Sequence, residues 1–277
     1  MKYIKLFESM TDMEVAKICR KYDIENWSIN KDGLVDVDGN VDLSFGSLPR
    51  LPLRFGKVTG AFSCSDNRLT TLEGAPQEVG GDFYCSNNKL TTLKGAPKEV
   101  GGDFYCFYNN LTTLRGAPTE VGGEFSCFNN NLITLEGAPT EVGGEFSCEY
   151  NNLITLEGAP KEVGGDFSCY NNNLTTLEGG PKEVGGKFYC YDNKLITLKG
   201  APEYIGSEVD FLPNEKLPIE FLEFLELNNN RNDLQTYIFK WQKDYAVWRR
   251  DGSFNQSNFI QMMEAAQDEL ENIKLLK

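Results

Sequence analysis

Phenylalanine stands at positions 62, 83, 104, 125, 146, 167 and 188, and cysteine at 64, 85, 106, 127, 148, 169 and 190. Asparagine follows at 67, 88, 109, 130, 151, 172 and 193, and leucine at 69, 90, 111, 132, 153, 174 and 195. Every series steps by 21, so the chain is a string of like units, F-x-C-x-x-N-x-L-x-x-L-x-G-x-P-x-x-V-G, before it is anything else. One step back lie Val41, Leu43, Gly46, Leu48 and Leu51, a worn copy in the same frame. One step forward lie Ile205, Val209, Phe211 and Asn214, another. About nine rungs are therefore expected, with atypical units at both ends where an array has to be closed off.

Within a unit, the alternation in F-x-C predicts a short strand with Phe and Cys on one side. The asparagine side chain, at a fixed offset after the strand, suits a ladder of bonds to free backbone groups of the bend and of the next rung. Glycine and proline in the GAPKEVGG segment turn the chain back quickly, leaving no room for a full helix. The outer side is expected to be irregular or 3₁₀, with Glu78, Glu99, Glu120, Glu141, Glu162 and Glu183 as solvated positions.

The seven repeated cysteines face inward beside phenylalanine in this reading and act as small hydrophobic groups. Two alternatives compete with this reading. Neighbouring parallel strands lie about 4.8 Å apart, which permits disulfides between rungs, but the number is odd and the compartment reads as reducing. A zinc or iron–sulfur site would need convergent CxxC pairs, which the array lacks. Cys19 stands apart in an N-terminal helix and reads as core packing.

If Phe and Cys face in, their neighbours form the concave face. The variable columns there supply Asp82, Asp103, Glu124, Glu145 and Asp166, with Tyr84, Tyr105 and Tyr189 between Phe and Cys. After Cys come Phe107, Phe128, Glu149, Tyr170 and Tyr191, and then Tyr108 and Tyr150. Such an acidic, aromatic strip is the expected partner-binding surface, because aromatics concentrate at the cores of protein interfaces. The competing reading is that the rings only tile against one another across rungs.

Three segments follow: residues 1–40 as a helical and stranded cap, 41–216 as the solenoid, and 217–277 as a C-terminal helical cap or small module. Thr11 to Tyr22 reads as an amphipathic helix opened by a Thr11–Glu14 capping box. WSIN and LVDV read as short strands. Helices are expected from Pro218 to Leu227, from Asn232 to Arg250 and from Ser257 onward.

The net charge of −14, most of it in residues 41–216, disfavours nucleic acid as a partner and suits a basic or mixed protein surface. The chain contains no histidine, which removes the commonest general base. No P-loop, GxSxG, EF-hand or HExxH pattern is present, so neither an enzyme, a cofactor nor a metal is expected. No apolar run is long enough to span a membrane. MKYIKLFESMTDMEVAK lacks a continuous apolar stretch and reads as mature sequence, which places the chain in the cytoplasm by expectation.

The unit resembles the leucine-rich repeat, L-x-x-L-x-L-x-x-N-x-L, with Phe and Cys in two strand positions. That resemblance implies an α/β solenoid with a parallel sheet on its concave face and helical caps at both ends. The LxxL-x-G-x-P-x-x-V layout is similar to short bacterial repeats of secreted ubiquitin-ligase effectors, whose catalytic cysteine sits in a separate C-terminal domain. Residues 191–277 here contain no cysteine, so that activity does not transfer. MKYIKLFE, DGLVDVDGNVDLS and the repeated APKEVGG together resemble uncharacterised repeat proteins of large tailed phages and marine bacteria. The expected function is non-enzymatic protein binding, with engagement or inhibition of a host protein as one use. A virion-associated or self-assembling role and an acidic nucleic-acid mimic are the alternatives.

Overall fold

The structure, a computed structural model, describes residues 10–275. Residues 1–9, which open the segment read above as mature sequence, lie outside the described residues. Residues 10–132 with 136–143 form one compact unit, and residues 133–135 with 144–275 form a second. Both are parallel β-solenoids built from 21-residue turns.

In the first unit, Val41–Asp42, Phe62–Ser63, Phe83–Tyr84, Phe104–Tyr105 and Phe125–Ser126 pair in parallel, each residue opposite the one 21 positions on. In the second, Phe146–Ser147, Phe167–Ser168, Phe188–Tyr189 and Val209–Asp210 do the same. Phe, Cys, the two leucines and the valine of each full rung are buried. Successive Phe rings stack, with centroids 5.2 Å apart between Phe83 and Phe104 and 5.3 Å between Phe167 and Phe188. One rung alone could not cover these groups; its neighbours exclude the water.

The outer side departs from the expected irregular course. Glu78–Val79, Glu99–Val100, Glu120–Val121 and Glu141–Val142 form a second parallel sheet in the first unit, continued by Phe55–Val58. Glu162–Val163, Glu183–Val184 and Tyr204–Ile205 form its counterpart in the second. The valine of each Glu–Val pair is buried and the glutamate exposed, so the glutamates are solvated as expected even though the backbone is paired.

The asparagine ladder is the fastening between rungs. Asn88 Nδ2 donates to Cys64 O of the preceding rung (3.0 Å), and Asn88 Oδ1 accepts from Leu69 N (2.9 Å). Asn109 repeats both bonds on Cys85 and Leu90, and Asn172 on Cys148 and Leu153. These backbone groups are buried, so each bond satisfies a group that would otherwise carry a desolvation penalty of about 1–3 kcal/mol. The paired glycines have an equally local cause. A Cβ on Gly101 would stand 2.4 Å from Gly80 O of the rung beneath, too close for any side chain.

All eight cysteines are buried, and none is in a disulfide. Burial pushes the thiols of Cys64 and Cys169 well above the ordinary range. They are the inward wall the spacing predicts.

The ends follow the flanking sequence closely. Helix α1 is Asp12–Lys21, with the Thr11–Glu14 capping box formed in both directions. Trp27–Ile29 and Val35–Val37 make an antiparallel pair. Helices α2 (Ile219–Leu227), α3 (Asn232–Trp241) and α4 (Gln256–Ala266) close the C-terminal side. The second of these is shorter than its apolar pattern suggests: Ala246 takes a left-handed φ of 48°, and the chain turns before Trp248. Helix α3 lies against the edge of the last strand. Thr236 Oγ1 accepts from Val209 N (3.0 Å) and Gln235 Oε1 from Phe211 N (3.0 Å), which occupies donors that no further rung exists to meet.

Candidate interaction face

Residues beside the inward Phe and Cys emerge on the opposite face of the same strands, because side chains alternate along a strand. Of the fifteen residues singled out from the sequence, twelve are half-buried, Tyr108 and Tyr150 are 49% exposed, and Glu149 is 8% exposed. The structure distributes them over both units.

In the first unit the acids hold the backbone as well as face outward. Asp82 Oδ1 accepts from Asp103 N (2.9 Å), and Asp103 Oδ1 from Glu124 N (2.8 Å), each bond running to the next rung. Their second oxygens face tyrosine: Tyr84 Oη donates to Asp82 (2.8 Å), and Tyr105 Oη lies 3.0 Å from both Asp103 Oδ2 and Glu124 Oε2, with its single proton shared between these two acceptors. Burial, reinforced by the bond to Asp82, pushes the Tyr84 hydroxyl up to about 12. Tyr105 moves further in the same direction, from burial first and then from Asp103 and Glu124. The two phenols are therefore fixed, neutral donors.

The rings above this layer are ordered in rows. Tyr84 stacks on Tyr105 (5.2 Å between centroids), and Phe107 stacks on Phe128 (4.6 Å, 15° between planes). Tyr108 meets Phe107 and Phe128 edge-on at 5.8 and 5.3 Å.

In the second unit Asp166 Oδ1 accepts from Lys187 N (2.7 Å), and Glu145 Oε1 accepts from Ser147 Oγ (2.8 Å). Tyr170 stacks on Tyr191 (4.5 Å, 12°) and receives the edge of Tyr150 at 5.4 Å. Burial and then the Glu149 charge raise the Tyr170 hydroxyl above its usual range. Tyr189 belongs to this face but stands beside Lys187, which pairs with Glu208 at 3.2 Å.

One column has a backbone feature that sequence reasoning did not draw out. Asp66, Asn87, Tyr108, Asn129, Tyr150, Asn171 and Asp192 all take φ between 50° and 54°. Asp and Asn tolerate this left-handed region, whereas tyrosine there is strained by roughly 1 kcal/mol or more. Phe45, one step before Asp66, shares the conformation (φ 55°) and is 78% exposed. The prevalence of Asn and Asp at this position was the available signal. A second feature passed over is the column Ile133, Ile154 and Ile196 in the second unit, each more than half exposed.

Among the described residues no group of three or more His, Cys, Asp or Glu is placed to hold a metal ion, and no helix is long and apolar enough to cross a membrane. The fold and face define a class, a repeat solenoid with a 21-residue period. Neither a protein-family profile nor a curated protein matches the chain.

Proposed function

We propose that the chain is a non-enzymatic binding scaffold that receives a protein partner of basic or mixed surface on its acidic, aromatic face. The observation that carries this reading is the pair Tyr108 and Tyr150. Each holds a half-exposed ring on a left-handed backbone where most full rungs use Asn or Asp. Strain kept at an exposed position is a reason to look for function there. The carboxylates beneath add a negative field suited to lysine and arginine. The unit's likeness to the leucine-rich repeat supports the same reading, and its likeness to phage repeat proteins favours a host protein as the partner. Buried thiols outside any disulfide accord with a reducing cytoplasm.

The test is site-specific photocrosslinking from Phe128 and from Tyr191, with Glu99 and Glu162 on the outer sheet as controls. One protein species crosslinked from both face positions and neither control supports the proposal. Crosslinking that does not distinguish the faces contradicts it. A second reading draws on the close stacking of Phe107 on Phe128 and of Tyr170 on Tyr191, which suits rings that serve only to fasten rungs. Under that reading, alanine at these four positions lowers Tm and leaves partner capture intact.

A further inference from the structure

Phe107 is the end of its ring row. Phe128 covers one face, but the positions 21 and 42 residues earlier are Ser86 and Ser65, so no ring of that column covers the other. The missing rings leave a notch of about 340 Å³ lined by Phe45, Ser65, Asp66, Tyr84, Ser86 and Phe107 among others. It lies entirely within the first unit.

Three observations describe what would fit. Phe107 forms one wall, and Phe45, 78% exposed and strained in φ, belongs to the rung at the opposite end. Ser86 is 3% exposed, yet its Oγ has no hydrogen-bond partner, while the neighbouring Ser65 Oγ already accepts from Ser86 N (3.1 Å). The lining residues include one acid, Asp66, and no lysine or arginine.

We propose that the notch seats a guanidinium, the arginine side chain of the protein partner. This rests on the protein-binding reading above and names the group recognised. A guanidinium is planar and weakly hydrated, stacks on an aromatic face, and offers a fork of N–H donors. Phe107 supplies the face, Asp66 the charged acceptor and Ser86 the buried one. A lysine ammonium has neither the flat face nor the fork. A neutral sugar would use the rings and hydroxyls but would gain nothing from the chain's charge of −14, which steers cations toward it.

The test titrates the full chain with the capped tripeptide Gly-Arg-Gly, followed by backbone amide NMR. Citrulline replaces arginine in a control of the same shape without charge, and cellotriose is the sugar probe. Saturable shifts at Ser65, Asp66, Ser86 and Phe107, with Kd of about 1 mM, are expected for arginine. Citrulline and cellotriose should bind at least about tenfold more weakly, a difference of about 1.4 kcal/mol. Asp66→Asn, which keeps the backbone conformation available, and Phe107→Ala should each weaken arginine binding by a similar factor. Equal binding of citrulline, preferential binding of cellotriose, or no shift at about 20 mM arginine peptide would overturn the assignment. If the notch fails while crosslinking from Phe128 and Tyr191 still selects one protein, only the arginine seat falls and the docking face stands.

Discussion

Asp103 Oδ1 accepts the backbone N–H of Glu124 at 2.8 Å, so a carboxylate on the outward face bonds one rung to the next. Its Oδ2 accepts from Tyr105 Oη at 3.0 Å. The acid column is thus part of the structure that holds the aromatic face in place. Substituting Asp103→Ala removes both acceptors and is expected to cost about 1–2 kcal/mol. Asp103→Asn keeps Oδ1 for Glu124 N, and Tyr105 retains Glu124 Oε2, so it should cost less than half as much. Thermal unfolding followed by circular dichroism checks the order; equal losses would mean the charge, not the acceptor, matters.

Alkaline pH offers a second check through Tyr84. Its hydroxyl is raised in the folded protein to about 12, from about 10 when unfolded, so the neutral form is favoured by folding. Its contribution is complete below pH ~10 and is lost as pH climbs toward ~12. In a titration of phenolate absorbance, Tyr84→Phe should match the parent up to pH ~10.5 and lack one ionisation nearer ~12. Loss of a step near pH ~10 would show that Tyr84 is solvated and its bond to Asp82 absent.

Phe45 gives the clearest trade between stability and binding. It has a left-handed φ of 55° and is 78% exposed. Phe45→Asn relieves the strain and should stabilise the chain by about 0.5–1 kcal/mol. The same change removes one end of the notch and should weaken arginine-peptide binding. A lower Tm would indicate that Phe45 is packed in a way its exposure does not suggest.

Much of this was legible in the sequence because a strict period exposes every rung at once. Phe, Cys, Asn and Leu at fixed offsets located the inner strand, the buried wall and the asparagine fastening, and Thr11 with Glu14 located the first helix. The Glu–Val sheet was not legible, since two residues are too few to show alternation; its paired glycines, which let backbones approach, were the physical trace. The acids' bonds to the next rung were missed because a carboxylate column looks the same whether it faces solvent or a backbone N–H. Phe45 and the vacancy beside Phe107 were missed for a different reason. They are differences between rungs, visible only after the rungs are laid side by side in space. Nothing in the helical pattern of residues 232–241 marked Gln235 and Thr236 as acceptors for a strand edge.

The central claim is that benzyl and thiol groups face inward and leave the tyrosines and carboxylates outward. Thiol accessibility tests it most directly, by treating the native chain with N-ethylmaleimide at neutral pH and counting adducts by mass spectrometry before and after denaturation. Inward, fully buried thiols predict no adduct at Cys64, Cys85, Cys106, Cys127, Cys148, Cys169 or Cys190 in the folded state, and labelling of all eight cysteines after unfolding. Rapid labelling of any of the seven repeat cysteines in the native protein, or a shortfall of labelled cysteines after unfolding without reductant, would contradict it.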